Sequence, residues 1–184
     1  MNRLEDLLKQ AGTAAPPPVD RWNPPYCGDI GLKITSDGTW FYQGSPIGRQ
    51  ALVKLFARVL RRDEDGRHYL VTPVEKVAVE VADAPFLAVE MQVSGAGRNQ
   101  LLVLRTNVDD VVSCGPANPM RFVLDKAGGG LKPYVLVRGR LEALLTRAVY
   151  YDLMELAVPA QSAASPEGEP LGIWSGGRFF ELVA

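Results

Sequence analysis

Two stretches of this chain recur later in it, in the same order. KITSDGTWFYQGSPIGR at 33–49 matches LRTNVDDVVSCGPANPMR at 104–121 as strand, acidic turn, strand, Gly, Pro, apolar residue and Arg. YLVTPVEKVAVEVADAPFLAVEM at 69–91 matches YVLVRGRLEALLTRAVYYDLMEL at 134–156, each ending with an aromatic and an acid among apolar residues. Self-similarity of this length points to duplication and fusion, although amphipathic hairpins also resemble one another without common descent. Strand patterns dominate both copies, which predicts an α+β chain of two related antiparallel-sheet halves. The first half, 22–96, carries one long helix; the second, 97–184, is mostly β; residues 1–21 are a leader and a Pro-rich tether. Two such sheets side by side would leave a crevice at their junction, and ligand sites favour crevices of that kind.

Local patterns supply the elements. Residues 1–12 form a short amphipathic turn of helix with Leu4, Leu7 and Leu8 on one side, and 13–25 is rich in proline, which restricts the backbone and removes amide donors. Residues 30–34 alternate, Asp37-Gly38 marks a hairpin turn, and 39–42 returns as a strand. A helix is expected over 46–62, capped by Ser45, opened by Pro46 and striped by Leu52, Val53, Phe56, Val59 and Leu60. Strands follow at 69–72, 77–81 and 86–93, with Leu87, Val89, Met91 and Val93 expected on one face. Further strands are expected at 101–106, 110–113, 120–124, 134–137, 141–145 and 149–158, with 141–145 equally suited to a helix. Residues 159–170 read as a low-complexity loop, and 171–183 as a closing hairpin.

Composition excludes several classes. The net charge of −1 gives no broad positive field for a long nucleic acid, though a cluster of arginines can still hold one phosphate. No stretch is apolar for long enough to span a membrane, and Glu5 and Asp6 interrupt any signal-peptide core. The two cysteines, Cys27 and Cys114, are too few for a secreted disulfide framework, so a cytoplasmic chain with reduced thiols is expected. Two cysteines and one histidine fall short of the four ligands of a structural zinc site, and neither a metal nor a cofactor is expected.

The segments CGDIGLKITSDGTWFYQGSPI, YLVTPVEKVAVEVADAPFLAVEM, LEALLTRAVYYDLMELA and LGIWSGGRFF resemble the bacterial family called domain of unknown function 1285, over nearly the whole chain from about Trp22. The resemblance implies a duplicated core, a carboxyl-terminal half loosely similar to pleckstrin-homology folds, and a nucleotide-like ligand between the halves. It also implies a role in signal transduction. It carries over no catalytic residue, since the family has none established.

The residues themselves offer polar groups that break apolar patterns. Glu75 falls in line with Val77, Val79 and Val81, and Arg105 and Asn107 with Leu101 and Val103. A buried charge needs a partner, so these groups form either a Glu–Arg bridge or a cleft in which Arg105, with Arg49 or Arg147, presents planar forks to a phosphate or carboxylate. A bulge at Pro73 that turns Glu75 outward is the other structural reading. Trp40, Tyr42 and Tyr151 are either stacking faces for a base or core aromatics. Cys27 with His68 lacks the third group of a nucleophilic triad, and a Cys27–Cys114 pairing requires a proximity that sequence does not give. GAGRNQ and AGGGLK lack the spacing of a phosphate-cradling loop and read as turns.

Three functions follow from this pattern. The first is a non-catalytic ligand-sensing module for a nucleotide-like or other small anionic molecule. The second is a protein-interaction module that docks through a sheet edge or the 46–62 helix. The third is a hydrolase or transferase using Glu75, Asp109 or Asp110 as a general base.

Overall fold

The computed structural model of the chain describes residues 17–159 and 170–182. The leader helix expected over 1–12 lies outside the described residues, as does most of the 159–170 loop. The chain divides between Pro85 and Phe86 into two compact units, with Gly139–Leu141 grouped with the first.

The first unit holds strands β1 (Tyr26–Ile34), β2 (Trp40–Tyr42), β3 (Ser45–Pro46), β4 (Leu60–Arg62), β5 (His68–Val71) and β6 (Lys76–Val81), with helix α1 (Gln50–Arg58) between β3 and β4. Their order across the sheet is β3-β2-β1-β6-β5-β4. Every neighbouring pair is antiparallel except β1 and β6, which run parallel. The turn after β1 forms where the sequence indicates: Asp37 accepts from the Thr39 amide at 3.1 Å, and Gly38 takes φ +82°. One sheet face carries Leu32, Ile34, Trp40, Leu70, Val77 and Val79, all buried, against the Val53, Phe56 and Ala57 stripe of α1. On the other face Trp22 packs on Tyr69, Val71 and Ala78.

The second unit holds β7 (Phe86–Ser94), β8 (Leu101–Thr106), β9 (Val111–Ser113), β10 (Met120–Leu124), β11 (Leu131–Arg138) and β12 (Leu141–Leu145), followed by helix α2 (Arg147–Met154). The order is β10-β11-β12-β7-β8-β9, and β12 runs parallel to β7. Each sheet is therefore two three-stranded meanders, with the first strand of the first meander parallel to the last strand of the second. The duplication is visible as this shared topology. It matches β1 with β7 and β5–β6 with β11–β12, so of the expected match of 69–91 with 134–156 the parts 69–81 and 134–145 correspond, while the remainder sets the start of β7 against α2. The 33–49 and 104–121 segments are instead displaced by one strand. A small third sheet, β13 (Val158–Pro159), β14 (Leu171–Ser175) and β15 (Arg178–Glu181), belongs to the second unit.

Several expectations need correction. The helix expected over 46–62 is only Gln50–Arg58: Ser45 and Pro46 pair with Tyr42 and Phe41, Leu60–Arg62 pair with Leu70–His68, and the N-cap is Arg49 without a side-chain bond. The apolar run through Leu60 survives because helix stripe and strand bury into the same face. The strand expected over 149–158 is largely helix α2, which buries Val149 and Leu153 one turn apart. β7 lies in the second unit, not within a first half ending at 96, because it bonds β8 and β12. Its register with β8 shifts at Val89: Ala88 stands opposite Thr106 before the shift, and Met91 and Val93 stand opposite Leu104 and Leu102 after it, so Leu87, Val89, Met91 and Val93 do not share one face.

Candidate functional site

The hairpin joining β10 to β11 sits beside α2, and between them lies a groove of about 420 Å³. Sequence builds its hairpin side through Asp125 and the three glycines that follow. The Asp125 amide donates to the Gly130 carbonyl at 2.7 Å, its carboxylate accepts from the Ala127 amide at 3.1 Å, and Gly129 adopts φ +70°. A Cβ on Gly128 would stand 2.8 Å from the Asp125 carboxylate, so a side chain there would displace the acid. The AGGGLK string is thus a turn that folds around its own aspartate.

The other wall is helical. Burial of Val149 and Leu153 fixes the rotation of α2, which leaves Arg147, Tyr150 and Tyr151 on the groove. The two tyrosine rings lie with centroids 5.8 Å apart and planes tilted by 54°. Leu131, Pro133, Leu144 and Leu145 give the groove an apolar floor. Lys132 faces the Asp125 carboxylate at 4.0 Å, whereas the exposed Arg147 guanidinium has no ion pair or hydrogen bond among the described residues. Arg147 is therefore the groove's uncompensated charge. The arrangement suits binding: a cation, two rings and apolar surface.

A larger hollow of about 760 Å³ in the first unit is lined mainly by charged groups, but its central side chain is committed elsewhere. Arg61 donates to the carbonyls of Val19 and Trp22, each at 2.7 Å, and to the Asp63 carboxylate. Lys76 reaches the same carboxylate at 2.9 Å. Burial alone would raise the Asp63 carboxyl, but its bonds to Arg61 and Lys76 hold it below its usual value. This hollow is a structural clasp for the segment at Val19–Trp22.

The chain matches Domain of unknown function (DUF1285), N-terminal domain, over residues 17–84 and Protein of unknown function (DUF1285), C-terminal domain, over residues 85–182. The chain belongs to the DUF1285 family. The crystal structure of a DUF1285 family protein from Silicibacter pomeroyi DSS-3 is similar over 100% of this chain and 96% of that one, at 46% identity and a TM-score of 0.91. A DUF1285 family protein from Shewanella baltica OS155 is similar over 68% of this chain and 91% of that one, at 28% identity and a TM-score of 0.55. No curated protein matches. The boundary between the two DUF1285 domains falls at 84/85, one residue from the division between the compact units.

The other expected site residues of this DUF1285 chain have defined places. Trp40, Tyr42, Arg49 and Glu75 belong to the first unit; Arg105, Asn107, Arg147 and Tyr151 belong to the second. Of these, Arg147 and Tyr151 share the groove. Trp40 is 1% exposed and stacks on Phe56 with centroids 6.1 Å apart, which makes it a core aromatic. Tyr42, on the same face of β2, accepts a 3.3 Å hydrogen bond from Gln43. Arg49 is the exposed N-cap of α1. Glu75 lies in the Thr72–Glu75 turn just before β6, so it does not continue the Val77 face; its backbone exchanges hydrogen bonds with Thr72.

Arg105 is not inward-facing. The buried side of β8 is Leu102, Leu104 and Thr106, and Arg105 stands on the opposite side, bridging Glu90 at 2.8 Å and Asp109 at 3.3 Å. Leu101 and Val103, whose apolar character suggested the core, occupy that outer side too. Asn107 accepts from the Leu87 amide at 3.0 Å and latches the β7–β8 hairpin. Asp110 pairs with Arg138 at 3.5 Å.

The two cysteines are free thiols. Cys114 is buried, which pushes its thiol up to about 12. Cys27 on β1 and His68 on β5 are separated in the sheet by β6, about 10 Å of strand spacing, which places them outside hydrogen-bond reach. Among the described residues no group of three or more His, Cys, Asp and Glu can hold a metal ion. No helix among them is long and apolar enough to cross a membrane. Lys132, Tyr150 and Asp125 are not among the expected residues; the spacing of Arg147, Tyr150 and Tyr151, three and four apart, points to Tyr150 once α2 is read as a helix, whereas Asp125 and Lys132 on the β10–β11 hairpin carry no such signal.

Proposed function

We propose that this chain is a non-catalytic binding module whose second unit takes a small anionic ligand in the groove between the Asp125–Gly130 turn and α2. The observation that carries the reading is Arg147, a cation without a partner among the described residues, beside two tyrosine rings and over an apolar floor. A guanidinium presents a planar fork suited to carboxylate or phosphate, and adjacent rings favour a ligand with a flat or apolar portion. A signalling role then means that occupancy is read out by α2 and the hairpin facing it, the two elements that ligand binding would draw together.

The test is a thermal-shift screen of the full chain against nucleotides, phosphates and organic acids, repeated with Arg147→Ala. A ligand that binds only the folded state raises the melting temperature in proportion to its excess over Kd. The reading expects at least one anion whose shift disappears in Arg147→Ala while the variant's own melting temperature is unchanged. If no anion at millimolar concentration gives a shift that depends on Arg147, the reading fails.

A further inference from the structure

Resting on that reading, we infer that the ligand is a one-headed organic acid: a single carboxylate on an aromatic or aliphatic body, not a polyphosphate. Charge balance in the groove makes the distinction. Among the described residues, the charged side chains lining it are Asp125, Lys132 and Arg147. Lys132 and Asp125 face one another at 4.0 Å, and Asp125 is also fixed by the amide of Ala127. One anionic head therefore compensates Arg147, and each further charge would meet Asp125 without a matching cation. Leaving a charge uncompensated beside apolar surface is costly, so a polyphosphate is disfavoured where a monoanion is not.

The remainder of the groove specifies the body. Leu131, Pro133, Leu144 and Leu145 present hydrocarbon, and Tyr150 and Tyr151 present ring surface. The donors on these surfaces are the two tyrosine hydroxyls, fewer than several sugar hydroxyls or extra phosphates require. Tyr151 is 58% exposed, so its ring is available to cover a ligand that enters from solvent. The volume of about 420 Å³ lies within the range of small-molecule sites and accommodates a bicyclic or medium-chain acid. Head and body are then held by different residues, the head by Arg147 and the body by the floor and rings.

Isothermal titration of the full chain with 1-naphthoate, octanoate, ATP, inorganic phosphate and the uncharged 1-naphthylmethanol tests this division. The two acids are expected to bind more tightly than ATP or phosphate. Arg147→Met, which keeps an apolar stem and removes the charge, should weaken the acids by roughly tenfold or more while leaving 1-naphthylmethanol unchanged. Tyr151→Ala should weaken naphthoate and 1-naphthylmethanol alike. Arg147→Lys, which keeps the charge but not the fork, should recover part of the affinity for the acids and guards against a folding defect. If ATP or phosphate binds through Arg147 more tightly than either acid, the ligand class is overturned and the anion-binding reading stands. If no probe shows a dependence on Arg147, both fall.

Discussion

The hydroxyl of Ser175 is fully buried and donates to the carbonyl of Cys114 at 2.7 Å. The same oxygen accepts from the amide of Leu102 at 2.9 Å, so one side chain on β14 satisfies backbone groups at the ends of β8 and β9. Nearby, Gln100 donates to the Trp174 carbonyl at 2.8 Å and the Gly176 amide donates to the Gln100 carbonyl at 2.9 Å. Ser175→Ala removes both partners from buried backbone groups, and an unsatisfied buried polar group costs about 1–3 kcal/mol. Urea unfolding should show a loss of this order, with Ser175→Thr falling short of the wild type because the extra methyl must enter a fully buried site. A midpoint unchanged by Ser175→Ala would show that the hairpin is not held by this contact.

Arg61 fastens the segment ahead of β1. Its side chain is 14% exposed, and it closes the carbonyls of Val19 and Trp22. Arg61→Met keeps the aliphatic stem but leaves the Trp22 carbonyl and part of the Asp63 carboxylate without this donor, and the Val19 carbonyl with the Trp22 amide at 3.3 Å alone. The expected result is faster tryptic cleavage after Arg21 under native conditions, with the second unit's resistance unchanged. Equal cleavage rates in the two proteins would refute the clasp.

The single histidine sets a pH dependence in the mildly acidic range. Burial, with a smaller contribution from the charge of Arg62, pushes His68 down to about 4. The unfolded chain takes up the proton near the ordinary value of 6.5 while the native state stays neutral. Stability contributed in this way is complete above about 6.5 and is lost as pH falls toward 4. His68→Gln should flatten the decline of the urea midpoint between pH 6.5 and 5, where depressed carboxyls such as Asp63 remain ionised. An identical decline in both proteins would place the titration elsewhere.

Arg105 bridges Glu90 and Asp109 at the surface, and the first of these is its directly opposite cross-strand neighbour. Exposed bridges of this kind contribute little. Arg105→Ala should leave the unfolding midpoint within scatter and leave any Arg147-dependent binding intact. Loss of ligand affinity in this variant would reinstate Arg105 as a binding group.

The sequence announces the strands well because their alternation is strong and their turns carry Asp, Asn or Gly: β1, β2, β5, β6, β8, β10, β14 and β15 fall where the pattern indicates. It misleads where the same residues serve two geometries. Val59 and Leu60 continue the stripe of α1 yet Leu60 pairs in β4, since both elements bury toward one face. Val149, Tyr150 and Tyr151 have high strand propensity, but the spacing of Val149 and Leu153 fits the helix that packing selects. The same ambiguity concealed the candidate site, whose wall is that helix. The outward turn of Arg105 was hidden because Leu101 and Val103 are apolar without being the core face of β8.

In each sheet the central seam joins the first strand to the last, β1 to β6 and β7 to β12. A ribosome must therefore release nearly a whole unit before its middle can close, and until then β1, or later β7, stands as an open edge with only one neighbour. Such distant pairing slows folding and leaves the opening strand sticky in the interval. A synthesis pause before residue 76 would thus be the most aggregation-prone moment for the first unit, and one before residue 141 for the second.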